Sequence, residues 1–282
     1  MNRVLTIARL TVLEASRRKL LLALAVLTLV VILLTSWGFS RLPTMRGVTP
    51  AEVRLAASQL TILVAFMFSG VLALGSTLVA APAIASDIES GIALAILPRP
   101  IRRSEVLMGK WLGLAVLVVL YAGLSGVLEM VGIWIATGYL PPTPAAAIVL
   151  VAAEGIVLMT LALLLSTRMA PMTGGVIALV LFFVAWIGGI ALAIGQVFGN
   201  DTIINIGVGS RLLIPTDGLW HGAIYYLEPS DILAAARVAG RARAGNPFFA
   251  DQPPPLSYIL WVIAWLLAAL GIANWSFARR DL

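Results

Sequence analysis

The chain is 282 residues long, with 61% of them apolar or aromatic and only 11% charged. Soluble domains carry about 25% charged residues, so with a mean hydropathy of +1.02 the composition belongs to the membrane class. The absence of cysteine excludes disulfides, thiolate metal sites and thiol catalysis, and the net charge of +6 reads as basic residues held on the cytoplasmic side of a bilayer rather than as a nucleic-acid footprint.

Residues 1–19 come first. At helical spacing, Val4, Leu5, Ala8, Thr11, Val12 and Ala15 share one arc, and Asn2, Thr6, Arg9, Ser16 and Arg17 share the opposite one. The pattern predicts an amphipathic helix on the inner membrane surface, with Arg9, Arg17 and Arg18 toward headgroups. The alternative is a basic flank that only fixes topology, because Leu10 and Leu13 fall on the polar side. The apolar run after Lys19 lacks an A-x-A-like exit and is expected to span rather than to be cleaved.

Uncharged runs place spans at 20–40, 57–85, 108–137, 145–167, 171–199 and 256–278. Each approaches or exceeds the ~20 residues that a bilayer core requires, with Glu129 and Glu154 tolerated inside the third and fourth. YLPPTP, Tyr139–Pro144, is a tight break, since proline cannot continue a helix. Six spans put both termini on one side. That side holds 12 of the 19 basic residues, and the other holds seven, four of them in the long loop 200–255. Both termini are therefore expected in the cytoplasm.

The loop 200–255 is not featureless. In PTDGLWHGAIYYLEP, residues Leu219, Trp220, Ala223, Ile224 and Leu227 fall on one helical face between Pro215 and Pro229. SDILAAARVAG has a Ser/Asp start signal. Two short amphipathic helices returning toward the membrane are expected.

Between spans two and three lies a dense charged stretch, 86–105, holding Asp87, Glu89, Arg99, Arg102, Arg103 and Glu105 just before Lys110. Ser86 or Asp87 is a candidate cap, with Ile88, Ile92, Ala95 and Ile96 on one face and Pro98–Pro100 as terminator. A short helix projecting from the inner face is a surface that another protein can grip. The plainer reading is an ordinary positive-inside loop.

The order Glu89-x-Gly91, Leu97, PRPIRR and Gly109–Lys110, combined with the amphipathic N-terminal helix, six spans, a re-entrant element before the last span and a C-terminal FARRDL, resembles the type-2 ABC transporter permeases. The resemblance covers the whole chain; in length and layout it is similar to the group linked to maturation of multicopper enzymes. It implies an all-α membrane protein that is a single transmembrane domain over 1–282. Residues 1–19 would be an elbow helix and 86–105 the coupling region, with short external helices before the last span. It implies that Asp87, Glu89, Gly91, Leu97, Pro98, Arg99, Pro100, Arg103 and Lys110 meet a cytoplasmic ATPase. The chain would be the permease subunit of an exporter in a prokaryotic cytoplasmic membrane. Its partners would be two ATPase subunits and a second permease chain, a homodimer before a heterodimer. This chain has no G-x-x-x-x-G-K-[ST], so ATP and Mg belong to the partner, and it is expected to bind no cofactor itself.

Glu129 and Glu154 are expected about 12–14 Å below the outer surface, at similar height. Intramembrane acids face the protein interior or a cavity. They line a substrate path or serve as structural acids, one of which could pair with Arg211. His221, the sole histidine, cannot build a metal site. Trp220, Ile224 and Tyr225 are expected either to close an external exit or to cap spans five and six. Alternatives to the exporter are a proton-coupled secondary transporter using Glu129 and Glu154, and an intramembrane enzyme; no catalytic motif supports the latter.

Overall fold

The computed structural model describes residues 3–17, 19–45, 47–89, 102–239 and 246–280. It is 86% helical and has no strand among the described residues. The helices are α1 (Arg3–Ser16), α2 (Lys19–Arg41), α3 (Pro50–Ala80), α4 (Pro82–Glu89), α5 (Arg103–Thr137), α6 (Pro144–Ser166), α7 (Pro171–Phe198), α8 (Asp201–Leu213), α9 (Thr216–Leu227), α10 (Ser230–Ala239) and α11 (Leu256–Ala278). Six of the stretches are long and apolar enough to cross a membrane, with α3 and α4 counting as one.

The helix α6 is the centre of the bundle. In its most apolar window 67% of residues are buried, against 17% near α2 and 22% in α11, which therefore lie at the periphery and turn apolar faces outward. It packs on α3, α5, α9 and α11. Gly155 makes this possible, since a Cβ there would come 2.8 Å from Val118 Cγ1 and 3.1 Å from Leu72 Cγ. With no hydrophobic gain between helices in lipid, such small-residue contacts supply much of the attraction.

The caps explain the boundaries. Before α3, Thr49 accepts from the Glu52 N–H while Glu52 accepts from the Thr49 N–H, at 3.3 and 2.8 Å. This capping box starts the helix at Pro50, seven residues before the expected span. Charges at 52 and 54 are no obstacle where the helix projects beyond the apolar layer. The interruption at Ala81 precedes Pro82, which has no N–H to donate. Ser86 and Asp87 then sit inside α4 rather than at a helix start, so the expected cap is replaced by a continuation of the second span.

Glu105 accepts from the Arg102 N–H at 2.8 Å and starts α5 five residues before the expected third span. At 35 residues α5 is about 52 Å long, well beyond a ~30 Å hydrocarbon core. It ends at Gly138, whose φ of +71° gives the left-handed cap that donates to the Trp134 carbonyl at 2.8 Å.

The amphipathic N-terminal segment does form a helix, α1, but its buried side rests on α5. A Cβ at Gly109 would lie 2.6 Å from Ile7 Cβ, and one at Gly113 would lie 2.6 Å from the Ala8 carbonyl. Thr11 and Ala15 are buried there, while Leu5, Leu10 and Leu13 face away from the protein.

In the loop 200–255 the structure adds α8, which was not expected. Gly199 turns the chain with φ +64°, Asn200 caps the new helix by accepting from the Ile203 N–H at 3.1 Å, and α8 folds back along α7. The two approach closely at Gly195 and Gly207. The expected helix between Pro215 and Pro229 is α9, and its five predicted face residues are all buried.

Candidate functional site

The end of the bundle that carries both chain termini is held by basic side chains reaching helix C-termini. Arg103 Nη1 lies 3.1, 3.0 and 2.7 Å from the carbonyls of Phe277, Ala278 and Arg280, where α11 ends. Arg168 donates from Nε to Ser276 Oγ at 2.9 Å and from Nη2 to the Ser276 carbonyl at 3.1 Å. Arg280 Nη1 donates to the Thr167 carbonyl at 2.6 Å, just past the end of α6. Terminal carbonyls lack partners within their own helices and carry the negative end of the helix dipole, so guanidinium groups suit them.

Lys110 links α4 to α5. Its buried ammonium pairs with Asp87 and donates to the Ala83 carbonyl. A buried ammonium is tolerated only when paired in this way. Gly109 beside it admits α1, so the Gly–Lys pair has two distinct uses: close approach at 109 and ion pairing at 110. Arg3 on α1 reaches Glu105 at 3.7 Å.

Of the expected ATPase-contacting residues, the structure brings Asp87 and Lys110 together and turns Arg103 inward onto α11. Glu89 is exposed at the end of α4. Gly91, Leu97, Pro98, Arg99 and Pro100 lie outside the described residues. Arg9 and Arg17 are exposed on α1 and at its end, and Arg18 is also outside the described residues.

Both intramembrane acids are buried. Glu154 on α6 accepts from Ser69 Oγ on α3 at 2.8 Å. Glu129 on α5 is 3% exposed, and its Oε1 has no hydrogen-bond partner. Neither pairs with Arg211. That guanidinium instead binds Asp217, Nε to Oδ2 at 2.5 Å.

Asp217 is the feature that the sequence reading missed. Its carboxyl is fully buried at the start of α9, with Arg211 on α8 on one side and His221 Nδ1 3.4 Å from Oδ1 on the other. The same Nδ1 lies 2.9 Å from the Asp217 carbonyl oxygen. Burial pushes the carboxyl up, but the adjacent His221 imidazole and the Arg211 guanidinium outweigh it and hold it below the ordinary value of 3.8. The site exists only because residue 189 on α7 is glycine, since any Cβ there would overlap the Asp217 carboxyl. A lone acid in PTDGLWHG, six residues after Arg211 and one turn before His221, was the available signal.

Trp220 and Ile224 are 2% and 0% exposed, so both point into the bundle. Trp220 lies 5.6 Å from the Phe66 ring, which also meets Trp186 and Phe248. Tyr225 is half-buried and packs edge-on against Tyr226 at 5.2 Å. The YLPPTP turn fastens this helix: Tyr139 donates to the Leu227 carbonyl at 3.1 Å and Thr143 to that of Tyr226 at 3.3 Å.

Residues 5–282 match the family model described as ABC-2 family transporter protein. The chain belongs to this family. No curated protein matches it. This ABC-2 family member is accordingly an integral membrane protein and the permease subunit of an ABC transporter, and the family implies association with an ABC ATPase. The bundle of six apolar helices agrees with that membership.

Proposed function

We propose that this permease exports its substrate with energy from ATP hydrolysed on a separate cytoplasmic ATPase, in an assembly of two permease chains and two ATPase subunits. The end carrying both termini faces the cytoplasm of a prokaryotic cell, and the segment 86–105 is the ATPase contact. The observation that carries this reading is the clasp around that segment. The chain enters it from α4, held to α5 by Asp87–Lys110, and leaves it through Arg103, held to the end of α11. A load applied at 86–105 therefore reaches the second, third and sixth spans as rigid bodies, a recognised mode of switching. Basic residues dominate the same end, as a cytoplasmic face requires.

The test is co-expression with candidate ABC ATPases from the same genome. The permease alone hydrolyses no ATP, and the co-purified complex does. Robust hydrolysis by the single chain, or failure of any ABC ATPase to co-purify, overturns the reading. Transport from vesicles loaded without ATP but with a proton gradient would instead support the proton-coupled alternative through Glu129 and Glu154.

A further inference from the structure

At the end of the bundle opposite the termini, a cavity of about 480 Å³ opens between α7, α9, α11 and the segment 246–255. It sits beside the last turn of α7 and the first turn of α11, which is the level of lipid headgroups for helices that span. Its size lies in the range of small-molecule sites. Gly218 and Gly222 form part of its wall. A Cβ at Gly218 would come 2.7 Å from Tyr258 Cε1, and one at Gly222 would come 2.9 Å from Pro254 Cγ, so these glycines set the walls at their present spacing.

The lining is informative about its ligand. Among the described residues, Arg211 and Asp251 are the charged groups of the wall, of opposite sign, and the Arg211 charge is already answered by buried Asp217. Asp251 is exposed at the rim, where water and salt screen it, so no buried unanswered charge is left to hold an ion. Gln196, Gln252, His221 and Tyr258 supply further polar groups. Carboxamide, imidazole and phenol each offer both donors and acceptors, which a hydroxyl-rich ligand matches throughout. His221 commits Nδ1 to Asp217, which leaves Nε2 for the cavity. The buried Tyr258 hydroxyl, packed against Gly218, makes no well-formed hydrogen bond within the protein. Beside these groups the Tyr258 ring and Pro253–Pro255 present apolar faces, which suit the C–H side of a sugar ring.

We propose that this cavity binds a neutral, polyhydroxylated group such as a sugar, supplied either by a free saccharide or by the headgroup of a glycolipid. The proposal does not rest on the direction of transport or on the ATPase partner. Binding can be read on the permease alone.

The full chain in phosphatidylcholine nanodiscs is titrated with lactose. In a second arm, nanodiscs contain increasing digalactosyl diacylglycerol. Tryptophan emission reports both, because Trp261 and Trp265 on α11 follow Tyr258 closely and donate to the Leu212 and Leu213 carbonyls at 3.1 and 2.8 Å. A saturable change is expected in at least one arm, weakened about tenfold in each of Gln196→Leu and Gln252→Leu by loss of a ligand hydrogen bond. Both residues are exposed, so the fold should survive their replacement, which an unchanged thermal melt of each variant would verify. Saturation with lactose assigns a free saccharide, and saturation only with the glycolipid assigns a headgroup; either supports the site. No saturation in both arms, binding unchanged by both variants, or displacement by phosphatidylglycerol, which would mark an anion site, overturns it.

Discussion

The two ends of the bundle are held together by different physics. At the end carrying the termini, the ties are charged side chains on helix-end carbonyls, namely Arg103, Arg168 and Arg280, with the Asp87–Lys110 pair. Each bridges separate helices, and several are within reach of water. At the opposite end, α9 is a plug of Leu219, Trp220, Ile224 and Leu227, all within 2% of full burial, with the buried carboxylate of Asp217 at its start and that of Glu228 at its end. Removing each such side chain from water stabilises by about 1.5–3 kcal/mol. Polar clasps at a water boundary can be exchanged one for another during a movement. A packed core is bistable at best and resists continuous deformation. Under the proposed function, motion is expected at the end that carries the termini and rigidity at the other, and each prediction below tests one side of that contrast.

The largest effect is expected at the rigid end. Asp217→Leu leaves Arg211 half-buried without its counter-ion and forces a branched chain against Gly189. Breaking a buried pair in this way costs about 3–5 kcal/mol, so the detergent-solubilised variant should lose its cooperative thermal transition or yield no folded protein. Asp217→Asn keeps the shape and should fold with a clearly lowered Tm. The wild-type carboxyl is held below its ordinary value, so its contribution is complete above about pH 4 and is lost as the pH falls through the folded-state value. In the Asp217→Asn variant that acid-induced loss should vanish. A melt of either variant indistinguishable from wild type would mean that the plug does not depend on this pair.

The next effect concerns α1. A side chain at Gly113 meets the Ala8 carbonyl and Thr11, so Gly113→Val should cost about 1–3 kcal/mol by overpacking. The expected readout is local: proteolytic cleavage between α1 and α2 should accelerate while the remaining bundle melts as before. Equal protection of α1 in variant and wild type would show that it is not fastened at these glycines.

Arg103→Ala tests the movable end. It removes one guanidinium from three carbonyls, a charged interaction of about 1.5–3 kcal/mol if dry and less at this half-exposed position. The expected stability change is therefore below that of Asp217→Asn, whereas the change in function is larger. ATP hydrolysed per substrate moved should rise severalfold. Arg103→Lys should recover part of the loss, because Lys offers a point charge without the planar fork. If hydrolysis and transport stay in their wild-type ratio in Arg103→Ala, the clasp carries no load.

The contrast also marks what was legible in the sequence. Span number and order follow from uncharged length alone, because a bilayer imposes one coarse rule on about 20 residues at a time. The face of α9 was legible for the same reason, as Leu219, Trp220, Ala223, Ile224 and Leu227 repeat at helical spacing. Helix ends were not, since they depend on caps such as Thr49–Glu52 and Arg102–Glu105 that lie outside the apolar run. The helix α8 was missed because its signal is Gly195, Gly199 and Gly207 plus an Asn cap, residues that also suit a loop. The roles of Asp217 and Arg103 needed three dimensions. Their partners, Arg211 and Gly189 for one and the end of α11 for the other, are set by how helices pack rather than by local spacing.

The smallest expected effect lies where the rigid end meets its turn. Tyr139 donates to the Leu227 carbonyl and fastens YLPPTP to the end of α9. Burial, reinforced by the Glu228 charge, pushes its phenol up to about 12 from 10. A raised folded value means that the stabilisation is fully present below pH 10 and is lost as pH rises toward 12, where the folded phenol ionises as well. Tyr139→Phe removes one neutral hydrogen bond and should lower stability by about 0.5–1.5 kcal/mol at about pH 8. Between pH 10 and 12 the gap between the two proteins should narrow, because wild type loses there what the variant never had. Parallel denaturation curves across that range would show that Tyr139 is solvated in the folded state, and the turn would then be held by Thr143 alone.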